Sequence, residues 1–493
     1  MDAGQHRVRA GLRASVAERG LSAFRTTVKH EWRRLRRDRA LPWLLLVFAA
    51  ICGYAAWQGK AWKDERQLAV TTVATQVNST REQFLQSMRE ATARDPDFPA
   101  ATFMALAIQH FPTLAADDFA ALAIGQADGY PYEARLHAVA SPITLFGALG
   151  PAIANPAGTA VGYLDLAFVI VALLPLFLLI ATFDLWTQER DLGTSGLILS
   201  QPVRPGAILA AKALVRGGGA LLGLLLVCLV ALLCVAGYAP SMSLAYAALG
   251  ALIAAYGTFW IAVALAINLA FRRATEAALA CGAAWLGLVI LLPAVLYAAS
   301  NLGGAPSAAS HINALRALEM ELRDQPRERR DATDPRDAIL KQRVEDLRRT
   351  LRNAQSEHRA YNRIIDGHQT HQAAQRRLTH ALRFLSPAVV TEDALERLAG
   401  TDADRASEFG IQVRQFLKDV QQHAATRTDS EETLSVDALY AKLPHFAFRR
   451  VARAGALLAD LGALLLFTSL PLLLALRYLR RNRLLSHELG DVR

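Results

Sequence analysis

The sequence predicts an all-α membrane protein: six transmembrane helices with two mainly helical extracytoplasmic insertions. Three observations carry this. Of the 493 residues 53% are hydrophobic, and they are bunched into long runs rather than spread along the chain, as lipid-crossing segments require. Six runs, at 41–58, 161–183, 207–235, 244–271, 276–300 and 454–476, are long enough to cross about 30 Å of hydrocarbon as helices. Charge placement is the third. Residues 1–40 hold eleven Lys or Arg against four acids, and the tail at 477–493 opens with Arg477, Arg480, Arg481 and Arg483. Basic flanks at both ends put both termini in the cytoplasm.

Residues 1–40 read as a basic arm. Its second half is an amphipathic helix lying on the inner leaflet, with Trp32 and Leu35 dipping in and Arg33 and Arg36 at the headgroups. A span follows the arm at once, so lipid rather than nucleic acid is its expected partner. Span one, 41–58, is an uncleaved signal anchor, because the arm is long and no clean small-x-small site follows. The region 59–160 is the first outward domain; from residue 60 to 158 it carries seven basic and ten acidic residues. Its segment from Val73 has helical spacing, and Pro96, Pro99, Pro112 and Pro131 suggest loops joining short helices. Span two is 161–183 and span three 207–235, with Gly217, Gly218 and Gly219 permitting close packing or a bend. A turn at Gly237 to Pro240 leads to span four, 244–271. Span five, 276–300, carries Pro293, expected to kink it.

The region 301–453 is the second outward domain. Leu315, Leu318 and Leu322, then Leu340, Val344, Leu347 and Leu351, recur at heptad spacing among charged neighbours. They predict a helical hairpin or short coiled coil that packs on the first outward domain, on a second copy or on a partner protein. Arg449, Arg450 and Arg453 precede span six, 454–476, on the outward side. They run against the charge rule, which long translocated loops escape.

The stretch 184–206, between spans two and three, organises the rest. It is polar and amphipathic, wedged between two apolar runs, and must therefore lie at a membrane surface. Gly193 and Gly196 allow sharp turns. Leu197, Ile198 and Leu199 give a short helix an apolar side, and Pro202 and Pro205 stop it before span three. Such a helix suits reception of force from a soluble partner.

The sequence lacks a Gly-x-x-x-x-Gly-Lys-Ser/Thr loop, a Gly-x-Ser-x-Gly elbow, a His-Glu-x-x-His pair and any paired-cysteine zinc pattern. No catalytic or cofactor residue is assigned, and any ATP the protein uses, with its Mg, is bound by another chain. All four cysteines (Cys52, Cys228, Cys234 and Cys281) fall in spans and read as small packing residues, so no disulfide framework exists. His368 and His371, three apart on a helix, have a metal-ligand spacing without a completing carboxylate or cysteine; no metal site is assigned. Asp165 and Asp460 lie near or within spans, where a carboxylate is costly, and are the intramembrane candidates for a functional role. Arg453 or a boundary water could satisfy Asp460. Asn268 in span four reads as an interhelical hydrogen-bond donor.

The sequence Glu189-Arg190…Gly193-Thr194…Leu197-Ile198-Leu199-Ser200…Pro202-Val-Arg204…Lys212 closely resembles the loop after the second span in type 2 permeases of ATP-binding-cassette (ABC) exporters. The resemblance implies that an amphipathic N-terminal helix, here 20–40, and residues Glu189 through Arg204 engage a cytoplasmic ATPase dimer. It also implies a second permease subunit, identical or related, and a bacterial inner membrane. The segment Phe384-Leu-Ser-Pro387, then Leu398-Ala-Gly-Thr-Asp402, Phe409 and Phe416, resembles a bacterial subgroup with large periplasmic insertions, related to permeases of multicopper-enzyme maturation. The implied function is coupling of ATP hydrolysis on a partner to export or translocation. The alternative is a mechanotransmitter that drives a periplasmic partner with nothing crossing the membrane.

Overall fold

The computed structural model describes the chain outside residues 1–21, 23, 38, 96–97, 99, 126, 141–144, 147–163, 201–204, 302–307, 324–335, 429–434, 452–453 and 489–493. Its described residues form helices with no strand, only two isolated antiparallel bridges, His110 with Leu136 and Thr113 with Glu133. Six helices are long and apolar enough to cross a membrane: Ala40–Arg94, Leu166–Asp191, Gly206–Ala236, Pro240–Ala270, Ala274–Ser300 and Ala454–Arg480. Counting crossings puts both termini and the loop after span two at one end of the bundle. Both insertions emerge at the other.

Span two starts later than the hydropathy suggests. Asp165 caps it, its carboxylate accepting from the Phe168 backbone N–H at 2.8 Å, so the helix begins at Leu166 and the earlier apolar residues precede it. The chain between its apolar part and span three is not one short helix but two, Thr187–Asp191 and Ser195–Leu199. Pro202 lies outside the described residues, while Pro205 opens the next helix, Pro205–Lys212, where its missing N–H costs nothing.

Proline shapes two spans in the same way. Pro175 follows the π-helical turn Val169–Leu173, and Pro293 follows the π-helical turn Leu286–Leu291. A proline cannot donate to the carbonyl four residues back, which for Pro175 is that of Val171. The Tyr256 hydroxyl of span four donates to it instead at 2.8 Å, and the Trp285 indole of span five donates to the neighbouring Ala172 carbonyl at 2.8 Å. Neighbouring helices thus restore what proline removes, as lipid demands.

Span one does not end at Gln58. Its helix runs unbroken from Ala40 to Arg94, because no Gly-Pro pair or cap interrupts the helical pattern from Val73 onward. The short helices expected around the first insertion's prolines reduce to Ala100–Ala107 and two 3-10 turns. The second insertion is a hairpin of Ala308–Arg323 and Arg336–Leu382, then Pro387–Ala399, Ala403–Thr428 and Val436–Ala441. Leu315 and Leu351 of the heptads are buried.

Of the packing choices open to the second insertion, the structure takes the first. Leu351, Phe409, Val413, Phe416 and Leu417 share one core with Ala105, Leu106 and Leu136 of the first insertion. Burial of such aromatic and aliphatic groups, about 25 cal/mol per Å², joins the two insertions into one domain. Arg450 pairs with Asp117 of the first insertion, which offsets one of the cations that breaks the charge rule.

The helix Pro387–Ala399 docks on the bundle. Ala388, Val390, Ala394, Leu395 and Leu398 enter the same core as Phe48, Leu166, Ile170, Tyr256 and Leu464 of the spans. The two motifs noted at 384–387 and 398–402 are its caps. Ser386 accepts from the Val389 N–H and precedes Pro387, while Gly400 ends the helix at φ 70°, a left-handed conformation that glycine tolerates. A Cβ there would sit 2.8 Å from Asp117 Oδ2.

Candidate functional site

The polar residues of the loop after span two are held by spans three, four and five. Asp184 pairs with Arg216 of span three at 2.7 Å. Asn268, fully buried in span four, accepts from the Trp186 N–H at 3.1 Å and donates to the Thr182 carbonyl at 3.1 Å. It is the interhelical donor expected from the sequence, and an acceptor besides. Glu189 accepts from Lys212 at 2.5 Å and from the Thr194 hydroxyl at 2.6 Å. Arg190 donates to the Phe271 carbonyl at 2.5 Å, covering the last orphan carbonyls of span four. Asp191 accepts from the Ala274 N–H at 3.0 Å, an anion at the N-terminus of span five's helix.

The apolar side of the loop is divided. Ile198 packs with Trp186, Leu209, Leu269, Ala475 and Leu479, drawn from spans three, four and six. Leu197 and Leu192 point away, 70% and 69% exposed. Gly193 takes φ 72° between the two short helices, a turn that a side chain would strain. The Leu199 side chain, Pro202 and Arg204 lie outside the described residues.

The N-terminal helix occupies 24–37 and lies against this loop. Arg34 donates to the Gln188 side chain at 2.9 Å, and Glu31, 3% exposed, approaches Lys212 at 3.9 Å. Trp32, Arg33 and Arg36 remain exposed, with Arg36 stacked over the Trp32 ring. The sequence placed these three residues at a surface but did not anticipate Glu31 or Lys212. The signal was there: a lone acid on the arm's helix, and a lysine beside an apolar run.

The intramembrane candidates are engaged. Asp165, besides capping span two, accepts from the Ile124 N–H at 2.9 Å, tying the first insertion to the bundle. Asp460, fully buried in span six, meets Arg397 and Arg383 of the second insertion, and both arginines also meet Asp393. Arg453, the partner expected for Asp460, lies outside the described residues. So do the side chains of His368 and His371. Among the described residues no group of three or more His, Cys, Asp or Glu is placed to hold a metal ion. Cys52, Cys228 and Cys281 are buried packing residues, the first two in contact across spans one and three, while Cys234 is exposed.

A six-span bundle whose first inter-span loop on the termini end is clamped to the N-terminal helix is the context in which the comparison with known families is decisive. The family model for ABC-2 family transporter proteins matches residues 25–484. The chain belongs to the ABC-2 transporter family. No curated protein matches it. As an ABC-2 family member the chain is a multi-pass membrane component of an ABC transporter, a permease subunit. The matched range includes the N-terminal helix and the clamped loop as well as all six spans.

Proposed function

We propose that this permease sits in a bacterial inner membrane with its termini and the 184–206 loop in the cytoplasm and both insertions outside. A separate ATPase dimer grips the loop from below. Closure of that dimer on ATP moves the loop and the N-terminal helix together, and the spans reorganise to export or pass on a substrate. Two six-span subunits, identical or related, form the path. This chain performs no hydrolysis; its sequence carries no phosphate-binding loop.

The observation that carries the reading is the division of the loop. Its polar side chains and Ile198 are anchored to spans three, four, five and six, so a push on it reaches the bundle. Leu192 and Leu197 face away from the protein on an otherwise anchored platform, where a partner can bury them. Leu197→Asp therefore leaves the permease folded and removes the ATPase from material co-purified in mild detergent. Unchanged association defeats the assignment. Placement is tested separately: Ser356→Cys, on an exposed part of the helix Arg336–Leu382, reacts with an impermeant maleimide in intact spheroplasts. Reaction only after lysis reverses the topology.

One observation favours the mechanotransmitter as a second reading. The 55-residue helix of span one and the 47-residue helix of the hairpin are stiff enough to carry force to a periplasmic protein. ATP-dependent remodelling of a co-purifying periplasmic protein, with no transport in vesicles, separates it from export.

A further inference from the structure

The strongest unexplained arrangement at the cytoplasmic end is the burial of Lys212. Its side chain is 6% exposed, and its ammonium lies between two carboxylates from different elements: Glu189 of the loop at 2.5 Å and Glu31 of the N-terminal helix at 3.9 Å, their side chains 18% and 3% exposed. Burying an ion is costly unless it is paired. Here one cation offsets two anions that would otherwise repel across the gap between helix and loop. One Glu31 oxygen, Oε2, is buried with no hydrogen-bond partner among the described residues, so the second carboxylate is there at a cost in stability. Direct helix-to-loop contact through Arg34 and Gln188 is exposed and correspondingly weak. Lys212 also ends its helix, immediately before the π-helical turn Ala213–Gly218, a backbone irregularity frequent at functional sites.

We infer that Lys212 is a positioning residue: it locks the N-terminal helix and the loop into one rigid body, pivoting at the π-turn of span three. The inference deepens the reading of the loop as the ATPase contact and rests on it for the coupling part only. Without the ammonium, Glu31 and Glu189 face each other unscreened and the N-terminal helix swings free. The loop stays anchored through Asp184, Asn268, Arg190 and Asp191. Binding of the ATPase and transmission of its stroke then separate, because the contact surface at Leu192 and Leu197 is untouched.

The test uses the full chain in nanodiscs, spin-labelled through Lys29→Cys and Leu192→Cys with Cys234→Ser, both label sites being exposed. Pulsed dipolar spectroscopy on the permease alone gives one narrow distance. Lys212→Met broadens it, Glu31→Gln broadens it less, and Lys212→Arg restores the narrow distance. With the ATPase that co-purifies with the unlabelled chain, its Leu192 intact, Lys212→Met keeps association but loses permease-dependent ATP turnover, and Lys212→Arg recovers it. A distance that stays narrow in both Lys212→Met and Glu31→Gln overturns the inference. If Lys212→Met does not fold, Glu31→Gln alone decides it. The distance arm needs no ATPase, so absence of a co-purifying ATPase would defeat the proposed function while leaving this inference decided by its own measurement.

Discussion

Acidification is expected to open the core shared by the two insertions while tightening the helix that docks them on the bundle. His358 is 6% exposed, and its Nδ1 lies 2.8 Å from Gln421 Nε2, which also donates to the Ala138 carbonyl at 3.1 Å. That nitrogen accepts, so adding a proton sets two donors against each other. Burial, with Lys418 nearby, lowers its pKa from 6.5 to about 4. His110 stands edge-on to Phe416, its Nε2 buried with no hydrogen-bond partner among the described residues. Burial, reinforced by His445, His423 and His137, lowers its pKa to about 4 as well.

Both folded values lie below the unfolded one, so the unfolded state takes up protons first. The stability these groups contribute is complete above pH 6.5 and drains as the pH falls toward 4. Between pH 7 and pH 5 each histidine loses about 2 kcal/mol, and the pair about 4, or about a thousandfold in the opening equilibrium. Glu396 of the docking helix runs the other way. Burial first, then Glu392, Asp165 and Asp402, push its pKa up to about 8, so protonation as the pH falls stabilises that helix. Hydrogen exchange of the full chain at pH 7 and 5, corrected for intrinsic rates, reads both effects. Peptides from Ala403–Thr428 lose protection and peptides from Pro387–Ala399 gain it. His358→Met removes about half of the loss. Equal opening free energies at the two pH values across Ala403–Thr428 would refute the reasoning.

Two further outcomes concern the joints between insertion and bundle. Asp460→Leu leaves Arg383 and Arg397 partly unpaired in a buried site, which costs about 3–5 kcal/mol and lowers the thermal midpoint in detergent; adding Arg397→Met recovers part of it, and an unmoved midpoint would sink the account. Gly59→Ala gains up to about 1 kcal/mol of helix propensity but drives a Cβ to 2.2 Å from the Ala121 carbonyl oxygen. The backbone must shift, and overpacking of about 1–3 kcal/mol wins, so the variant melts earlier; a variant that melts later shows the 119–123 segment to be loosely seated.

The spans were legible because lipid enforces one rule on every apolar run, and six helices long and apolar enough to cross stand where the runs do, although the first continues 36 residues past Gln58. Span two escaped because hydropathy does not see a cap: Val161 is as apolar as Val169, but Asp165 sets the start. The loop's amphipathic side was legible in Leu197 and Ile198, yet their division into one buried and one exposed residue depends on Leu209, Leu269 and Ala475, which the chain brings from far away. The same distance hid the partners of Asp460. Motifs at 384–387 and 398–402 stood out as patterns; the structure gives them a reason as the two ends of one helix.

The unbroken helix from Ala40 to Arg94 turns a small rotation into a large excursion. Past Gln58 it continues for 36 residues, about 54 Å at 1.5 Å each. A tilt of about 10° in the bilayer would carry Arg94 sideways by about 9 Å over that length. Near that tip Leu85 packs with Leu439, and Arg89 pairs with Asp437, so the far end of the second insertion would be swept along. Movements too slight to notice within the bilayer should therefore be read at the far tip of this helix.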